Sequence, residues 1–543
     1  MRRTFSKGMI LISVLVMLMT GCGQQGDLAR QDTITTENVE DTFETGNKVF
    51  GDATVIELSD EEITVDGSVI SMDSESAVYA ANDIVFYLEG QDFTYGEGEE
   101  SDAHSQKEAD AHTVVHITKP GTYAVSGTLS AGQIAIDLGK AAKEDPNAVV
   151  TLILNGVDIN CSVAPAVIFY NVYECGSDDE ETAVSTVDTS AAGANVLIAD
   201  ESVNNVKGAY VARIYKPNSV VLSADGREVE DAKKLHKYDA AFYSKMSMNI
   251  NSEEEGTGIL NINAENEGLG SELHLTINGG NINIVSGNDG INTNEDEVSV
   301  TTVNGGSLKI RVNGKTGEGD GIDSNGWLVI NGGTVIAEAC SFSADAGIDS
   351  DMGIHINGGT VIATGNMLDH ISESKQNYAV FQFASSQKGN TSYSLKNESG
   401  EVVVEYTLEN DFMYLIFSSV DMAAGTYTMW QGDTQLAGSK GTSQGGFGGM
   451  MGGFKGGQMP EDMMPPKGME FPERGEFPEE MEIPEGIEFQ DRGDFPQGGE
   501  FQDREQRPGG NRGDFEGGEN LEMSIEFLIE DGGSYFSNVK IAE

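Results

Sequence analysis

Leu275-Thr276-Ile277-Asn278-Gly279-Gly280-Asn281-Ile282-Asn283-Ile284 sets two short runs of alternating apolar residues on either side of Asn-Gly-Gly. Taken alone it would read as a hairpin, because Asn-Gly fits a type I′ turn. The same strand, Asn-Gly-Gly, strand unit returns at residues 301–310, 328–337 and 354–363. Its asparagines, Asn278, Asn304, Asn331 and Asn357, are separated by 26, 27 and 26 residues. A fixed period of that length describes one coil of a solenoid, with the Asn-Gly-Gly units as stacked corners. Alternation then assigns three inward ladders: Leu275, Thr301, Leu328 and Ile354; Ile277, Val303, Ile330 and Ile356; and Ile282, Leu308, Val335 and Val361. No single coil buries its own apolar face, so each depends on its neighbours.

Working outward, residues 149–159, 196–199 and 240–250 read as less regular coils, 121–136 as a cap, and the charged stretch 213–238 as a loop leaving the solenoid. The expected fold is all-β: a right-handed parallel β-helix over residues 110–370, preceded by an N-terminal β region at 48–109. Short alternating strands at 376–442 and 521–543 predict a small C-terminal β-sandwich. Between them, residues 443–520 are rich in Gly, Met, Pro and Glu and predict a disordered insertion. At the other end, Arg2, Arg3 and Lys7 precede an apolar stretch at 9–19 that is too short for a lasting membrane span. Leu18-Met19-Thr20-Gly21-Cys22 resembles a lipoprotein processing site. Residues 1–22 are therefore expected to be a lipoprotein signal peptide with Cys22 the lipidated residue, and the polar run 23–47 a disordered tether. This places the protein on the extracellular face of the cell membrane, touching the membrane through the anchor only.

The formal net charge is −57, which argues against nucleic acid and anionic lipid surfaces as partners and suits a protein that collects cations. Cys161, Cys175 and Cys340 are too few and too scattered for a disulfide scaffold or a paired-ligand zinc site. A bridge between Cys161 and Cys175 and a pair of reduced thiols both remain open.

A second motif recurs at the coil period: Asn288-Asp289-Gly290-Ile291-Asn292-Thr293-Asn294, Gly319-Asp320-Gly321-Ile322-Asp323-Ser324-Asn325 and Asp345-Ala346-Gly347-Ile348-Asp349-Ser350-Asp351. Stacking makes one column of Asn292, Asp323 and Asp349 and another of Asn294, Asn325 and Asp351, pointing the same way. Ionised carboxylates at the ~4.8 Å strand spacing repel, and a cation between them relieves this. Ca2+ suits the set, because it takes about six to eight oxygen ligands in flexible geometry and these columns offer no sulfur or imidazole. The competing reading is that Asp-Gly and Asn-Gly simply make corners and stacked amides bond one another. Glu267-Gly268-Leu269-Gly270-Ser271-Glu272, one coil earlier, lacks the middle acid and is expected to bind a cation weakly or not at all.

Two further segments, Ile117-Thr118-Lys119-Pro120-Gly121-Thr122-Tyr123-Ala124-Val125-Ser126-Gly127-Thr128-Leu129 and Leu152-Ile153-Leu154-Asn155-Gly156-Val157-Asp158-Ile159, complete a resemblance. With the paired motifs, they resemble the clostridial cellulose- and acidic-sugar-binding β-helix family, whose members are labelled carbohydrate-binding domain-containing proteins. The likeness spans about residues 110–442 and 524–543. It implies a lyase-like parallel β-helix with bound calcium that binds cellulose and pectin-type polysaccharide without established catalysis. Metal ligation carries over to Asp289, Asn292, Asn294, Asp320, Asp323, Asn325, Asp345, Asp349 and Asp351, the positions matching the Asp-Gly-Ile motifs. The low-complexity run and the 213–238 stretch depart from the family pattern.

A strongly anionic protein repels polyuronate, so calcium bridging protein and sugar carboxylates is the natural route to such a ligand. Trp327, outward on its coil in the column of His274 and Val300, offers an aromatic face for sugar binding, or else packs under a loop. A lyase would need a basic side chain beside the acids, and Lys315 is the one expected near them; charge balance is its ordinary role, and no catalysis is expected. Adhesion through Arg492-Gly493-Asp494 and Arg512-Gly513-Asp514 is weakened by Arg474-Gly475-Glu476-Phe477, which shows the same repetitive unit drifting. The expected protein is a monomeric, calcium-dependent polysaccharide-binding module.

Overall fold

Each repeat lays down three short strands, and each strand pairs in parallel with its counterpart in the next repeat. Leu275–Ile277, Val300–Val303, Trp327–Ile330 and Gly353–Ile356 form one ladder, matching Leu275 to Thr301 to Leu328 to Ile354. Asn281–Ser286, Ser307–Val312, Thr334–Glu338 and Thr360–Gly365 form a second, matching Ile282 to Leu308 to Val335 to Val361. Ile291–Thr293 and Ile322–Ser324 belong to a third, eight-stranded sheet that an isolated bridge extends from Ile322 to Ile348. The computed structural model describes residues 50–441 and 522–542. It is all-β, with large parallel and mixed sheets and no closed barrel among the described residues. The expected signal peptide, Cys22, the tether, the 443–520 insertion and the Arg-Gly-Asp tripeptides lie outside the described residues.

The three ladders read from the sequence are buried and share one apolar core running from Ile56 to Ile416. Their corners explain the second glycine of each Asn-Gly-Gly. Gly280, Gly306, Gly333 and Gly359 have φ of 94°, 83°, 80° and 84°, a region costly for other residues. A Cβ on Gly306 would stand 2.5 Å from the carbonyl oxygen of Gly280. Successive repeats therefore approach here closely enough to exclude a side chain.

Parallel stacking begins well before residue 110. Thr54–Leu58 pairs in parallel with Gly121–Leu129, which pairs in turn with Val150–Cys161. Thr54–Leu58 alternates so that Ile56 and Leu58 enter the shared core, and this makes residues 121–136 interior rather than a cap. Antiparallel strands cover the edges instead: Thr64–Val65 on Thr54–Leu58, and Val78–Ala81 on Thr113–Ile117. Residues 213–238 are likewise more ordered than a loop. Val211–Tyr215 and Lys234–Tyr238 form an antiparallel ribbon, extended by Val221–Leu222 and Val229–Asp231.

Downstream, Phe412–Ser419 pairs antiparallel with Thr360–Gly365 and ends the parallel ladder. The following strands gather around a second apolar core that includes Phe381, Phe383, Tyr393, Phe417, Phe527 and Phe536. The returning strands Phe527–Ile529 and Gly533–Ile541 pair with Gly425–Gln431 and Tyr378–Gln387. Glu338 ties this region to the coils, its Oε2 accepting the backbone N–H groups of Glu409 and Asn410 at 2.8 Å each. Cys161, Cys175 and Cys340 are free thiols.

Candidate functional site

The third sheet carries the acids because Ile291, Ile322 and Ile348 are fully buried, which turns the next residue of each motif outward. Asn292 lies opposite Asp323 in register, and Asp349 N–H donates to Ile322 O at 2.8 Å. The glycine before each isoleucine permits close stacking: a Cβ on Gly321 would stand 2.3 Å from Gly347 O. The result is a convergence of Asp320, Asp323 and Asp349, each partly buried, with one carboxylate oxygen from each lying within 4.8 Å of the others.

Desolvation dominates the electrostatics. Burial pushes the Asp320 carboxyl well above the usual range, and Asp349, Asp289, Asp323 and Asp345 push it further. Asp289 is pushed up to about 7 by burial, opposed by the Asp320 N–H that it accepts. Two further acids share this concentration of charge. Asp369, pushed up to about 7 by burial and by Asp349, is one. Glu267 is the other: it is buried, and burial, Asp239 and Asp289 hold its carboxyl well above the usual range. Glu267 accepts Asn292 Nδ2 at 3.0 Å. Its Oε2 and Asn292 Oδ1 are both buried without a hydrogen-bond partner. Buried acceptors of this kind are costly unless a donor or a cation meets them.

The nine residues named from the motifs thus divide. Asp320, Asp323 and Asp349 converge, and Asp289 and Asn292 stand buried beside them. Asp289 Oδ1 also accepts Asp320 N–H at 2.7 Å, and Asp320 Oδ1 accepts Ala346 N–H at 2.6 Å, so each supports the next corner. Asp345 makes a corner outright, accepting Gly319 N–H at 2.7 Å and the Ser343 hydroxyl. Asn325 turns its amide to Asn294 O at 3.2 Å and Asp296 Oδ1 at 2.9 Å, and Asp351 is exposed; these, with Asn294, are outside the convergent group. Trp327 holds its place in the column between Val300 and Gly353 but is half-buried on the first ladder, not the acid-bearing sheet. Lys315 is exposed in its turn. The bases that do reach the acids of this sheet come from the 211–238 ribbon: Lys234 lies 3.4 Å from Glu272 and Lys237 2.9 Å from Asp239.

The donor set is entirely oxygen, from carboxylates and an amide, with orphaned acceptors beside it. It fits a hard divalent cation and not a thiolate- or imidazole-seeking one. A family model for carbohydrate-binding domain-containing proteins matches residues 111–433, more than half of the chain. The chain belongs to this carbohydrate-binding family. No curated protein matches the sequence. Among solved structures, a polysaccharide lyase-like protein from C. thermocellum, studied as a gadolinium derivative, is similar at 18% identity with a TM-score of 0.30, covering 57% of this chain and 93% of that one. In this carbohydrate-binding domain, the matched segment contains both the acid group and the whole Asn-Gly-Gly repeat.

Proposed function

We propose that this protein binds acidic polysaccharide, of the polygalacturonate type, through calcium held by Asp320, Asp323 and Asp349, and that it does so without catalysis. The observation that carries the reading is the convergence of those three carboxylates within 4.8 Å. Membership of a carbohydrate-binding family supplies the ligand class. Asn292 on the adjacent strand would contribute its unpartnered Oδ1. Bound there, the cation supplies positive charge on a chain of net charge −57 and open coordination positions for a sugar carboxylate.

The same reading takes the three ladders as faces of a right-handed parallel β-helix, since parallel strand crossovers are right-handed almost without exception. It takes Cys22 as a lipid anchor that holds the protein at the cell surface, on the strength of the leader sequence alone.

Calorimetric titration of the full chain with calcium, repeated on Asp323→Ala and Asp349→Ala, tests the cation. Uptake by the native chain that is lost in both variants supports the site. No uptake by the native chain reduces these columns to corners. Pull-down on polygalacturonate with and without chelator then tests the ligand, and absorbance from unsaturated product would reassign the protein as a lyase.

A further inference from the structure

The outward face of the eight-stranded sheet changes character along its length. In register, the columns that carry Asn292 and Asp323 carry Tyr243 two strands earlier than Asn292. The next outward position on that earlier strand is Lys245, whose N–H donates to Phe169 O at 2.9 Å, which sets it beside Tyr170. The 211–238 ribbon folds over this part of the sheet. Its Tyr238 ring lies 5.5 Å from that of Tyr170 and 5.8 Å from that of Tyr243, and its hydroxyl lies 2.7 Å from His236 Nδ1. Tyr238 and Tyr243 are buried and make a rigid floor.

Lys245 stands out against this floor. Its Nζ sits 5.9 Å from the Tyr238 ring centroid, and among the described residues it has neither an ion pair nor a hydrogen bond. With 89 acidic residues against 32 basic ones, a half-buried amine left unpaired is unexpected. The acids within reach are engaged elsewhere. Glu272 is held by Lys234 at 3.4 Å and by the Tyr243 hydroxyl. Asp137 accepts Asn171 Nδ2 at 2.8 Å and Gly139 N–H at 2.9 Å. Burial holds the Lys245 amine below the ordinary lysine value, and Lys143 and Lys234 act in the same direction against Glu272. Tyr170, on the neighbouring strand, packs against the same Tyr238 ring, its own hydroxyl also lacks an acceptor among the described residues, and both residues are half-buried. Two donors set against one tyrosine ring with no acceptor, one of them cationic, are the complement of a carboxylate.

We infer that Lys245 and Tyr170 form a cation-independent subsite for the carboxylate of an acidic sugar, so that one polyuronate chain engages both this subsite and the acid cluster. The two lie three strands apart on one sheet, about 14 Å at ~4.8 Å per strand. That span selects an oligomer over a monosaccharide, because the second contact becomes intramolecular once the first is made. The inference rests on the proposed function, and its failure is separable from the failure of that reading.

The full chain and its Lys245→Met, Lys245→Arg and Asp323→Asn variants are titrated with polygalacturonate and with its methyl ester, in calcium and in chelator. Melting temperatures check that each variant folds. Lys245→Met is expected to take up calcium normally, to bind polygalacturonate about ten-fold more weakly in calcium, and to lose the residual binding that the native chain keeps in chelator. Lys245→Arg is expected to keep most of the affinity, and the methyl ester to bind the native chain and Lys245→Met equally. Native affinity in Lys245→Met, or an equal loss toward the methyl ester, overturns the subsite while leaving the calcium reading standing. No binding of polygalacturonate by the native chain in calcium overturns both.

Discussion

Two columns of stacked polar side chains run along the same coils, one of amides and one of carboxylates. In the first, Asn278 donates to Asn251 at 2.9 Å, Asn304 to Asn278 at 2.8 Å, Asn331 to Asn304 at 2.9 Å and Asn357 to Asn331 at 2.8 Å. An amide carries both a donor and an acceptor, so a stack of identical residues satisfies itself. In the second column the coil spacing is the same, but ionised carboxylates only accept. Asp289 and Asp320 find backbone N–H groups of the next repeat, and Asp320, Asp323 and Asp349 bring one carboxylate oxygen each within 4.8 Å of the others. Stacking geometry is common to both columns. What separates the structural ladder from the proposed binding site is whether the repeated group can be its own partner.

The largest effect is expected from turning the second column into the first. Asp320→Asn combined with Asp323→Asn replaces crowded carboxylates, whose mutual repulsion helps to raise the Asp320 carboxyl, by neutral amides. Scanning calorimetry should show a higher melting temperature than the native chain in chelator, and no further rise on adding calcium. A melting temperature that still climbs with calcium would place the cation elsewhere.

Protons are the other partner open to crowded carboxylates. Asp289 and Asp369 are both pushed up to about 7, so the proposed cation is expected to displace protons from this group on binding at neutral pH. Calcium affinity is therefore expected to rise with pH through about 7. Titrations in buffers of different ionisation heat should give different apparent enthalpies; identical enthalpies would mean that no proton leaves.

Glu338 sharpens the comparison, being a lone buried carboxylate with two backbone donors and no acid stack. Burial pushes it from its ordinary 4.5 up to about 7, against the N–H groups of Asn410 and Glu409. A folded value above the unfolded one means that the folded state holds the proton more tightly. Its contribution to stability is complete below about 4.5 and is lost as pH rises through about 7. Glu338→Gln should flatten the melting temperature between about pH 5 and 7.5, and an unchanged slope would assign that dependence to the acid column. The smallest effect is expected in the amide ladder: Asn331→Asp removes the donor to Asn304 Oδ1 at an exposed position, costing about 1 kcal/mol in a denaturant titration.

Much of this architecture is legible in the sequence because it is periodic. The Asn278, Asn304, Asn331 and Asn357 spacing matches the parallel register of the strands, and the Ile291, Ile322 and Ile348 motif sets the outward phase of Asn292, Asp323 and Asp349. Glu267 is discounted in the sequence for a local reason: Gly270 occupies the middle acid's place, so its repeat is expected to bind a cation weakly or not at all. The buried acid stands instead at the first position, where Glu takes the place of Asp. Its Gly268 N–H donates to Asp289 O at 3.0 Å, which puts the two acids on neighbouring coils.

A repeat specifies by itself what neighbouring coils do to one another, since each contact is made between equivalent residues one period apart. Inward ladders, corner glycines and the acid column all follow from that. Residues outside the period have no such partner, and only the folded chain assigned them places. Asp369 reaches the acids through the last coil's turn. The 211–238 ribbon folds back across the sheet, carrying Lys234 to Glu272 and Tyr238 to Lys245. Those contacts depend on where a long excursion lands, and no spacing along the chain encodes that.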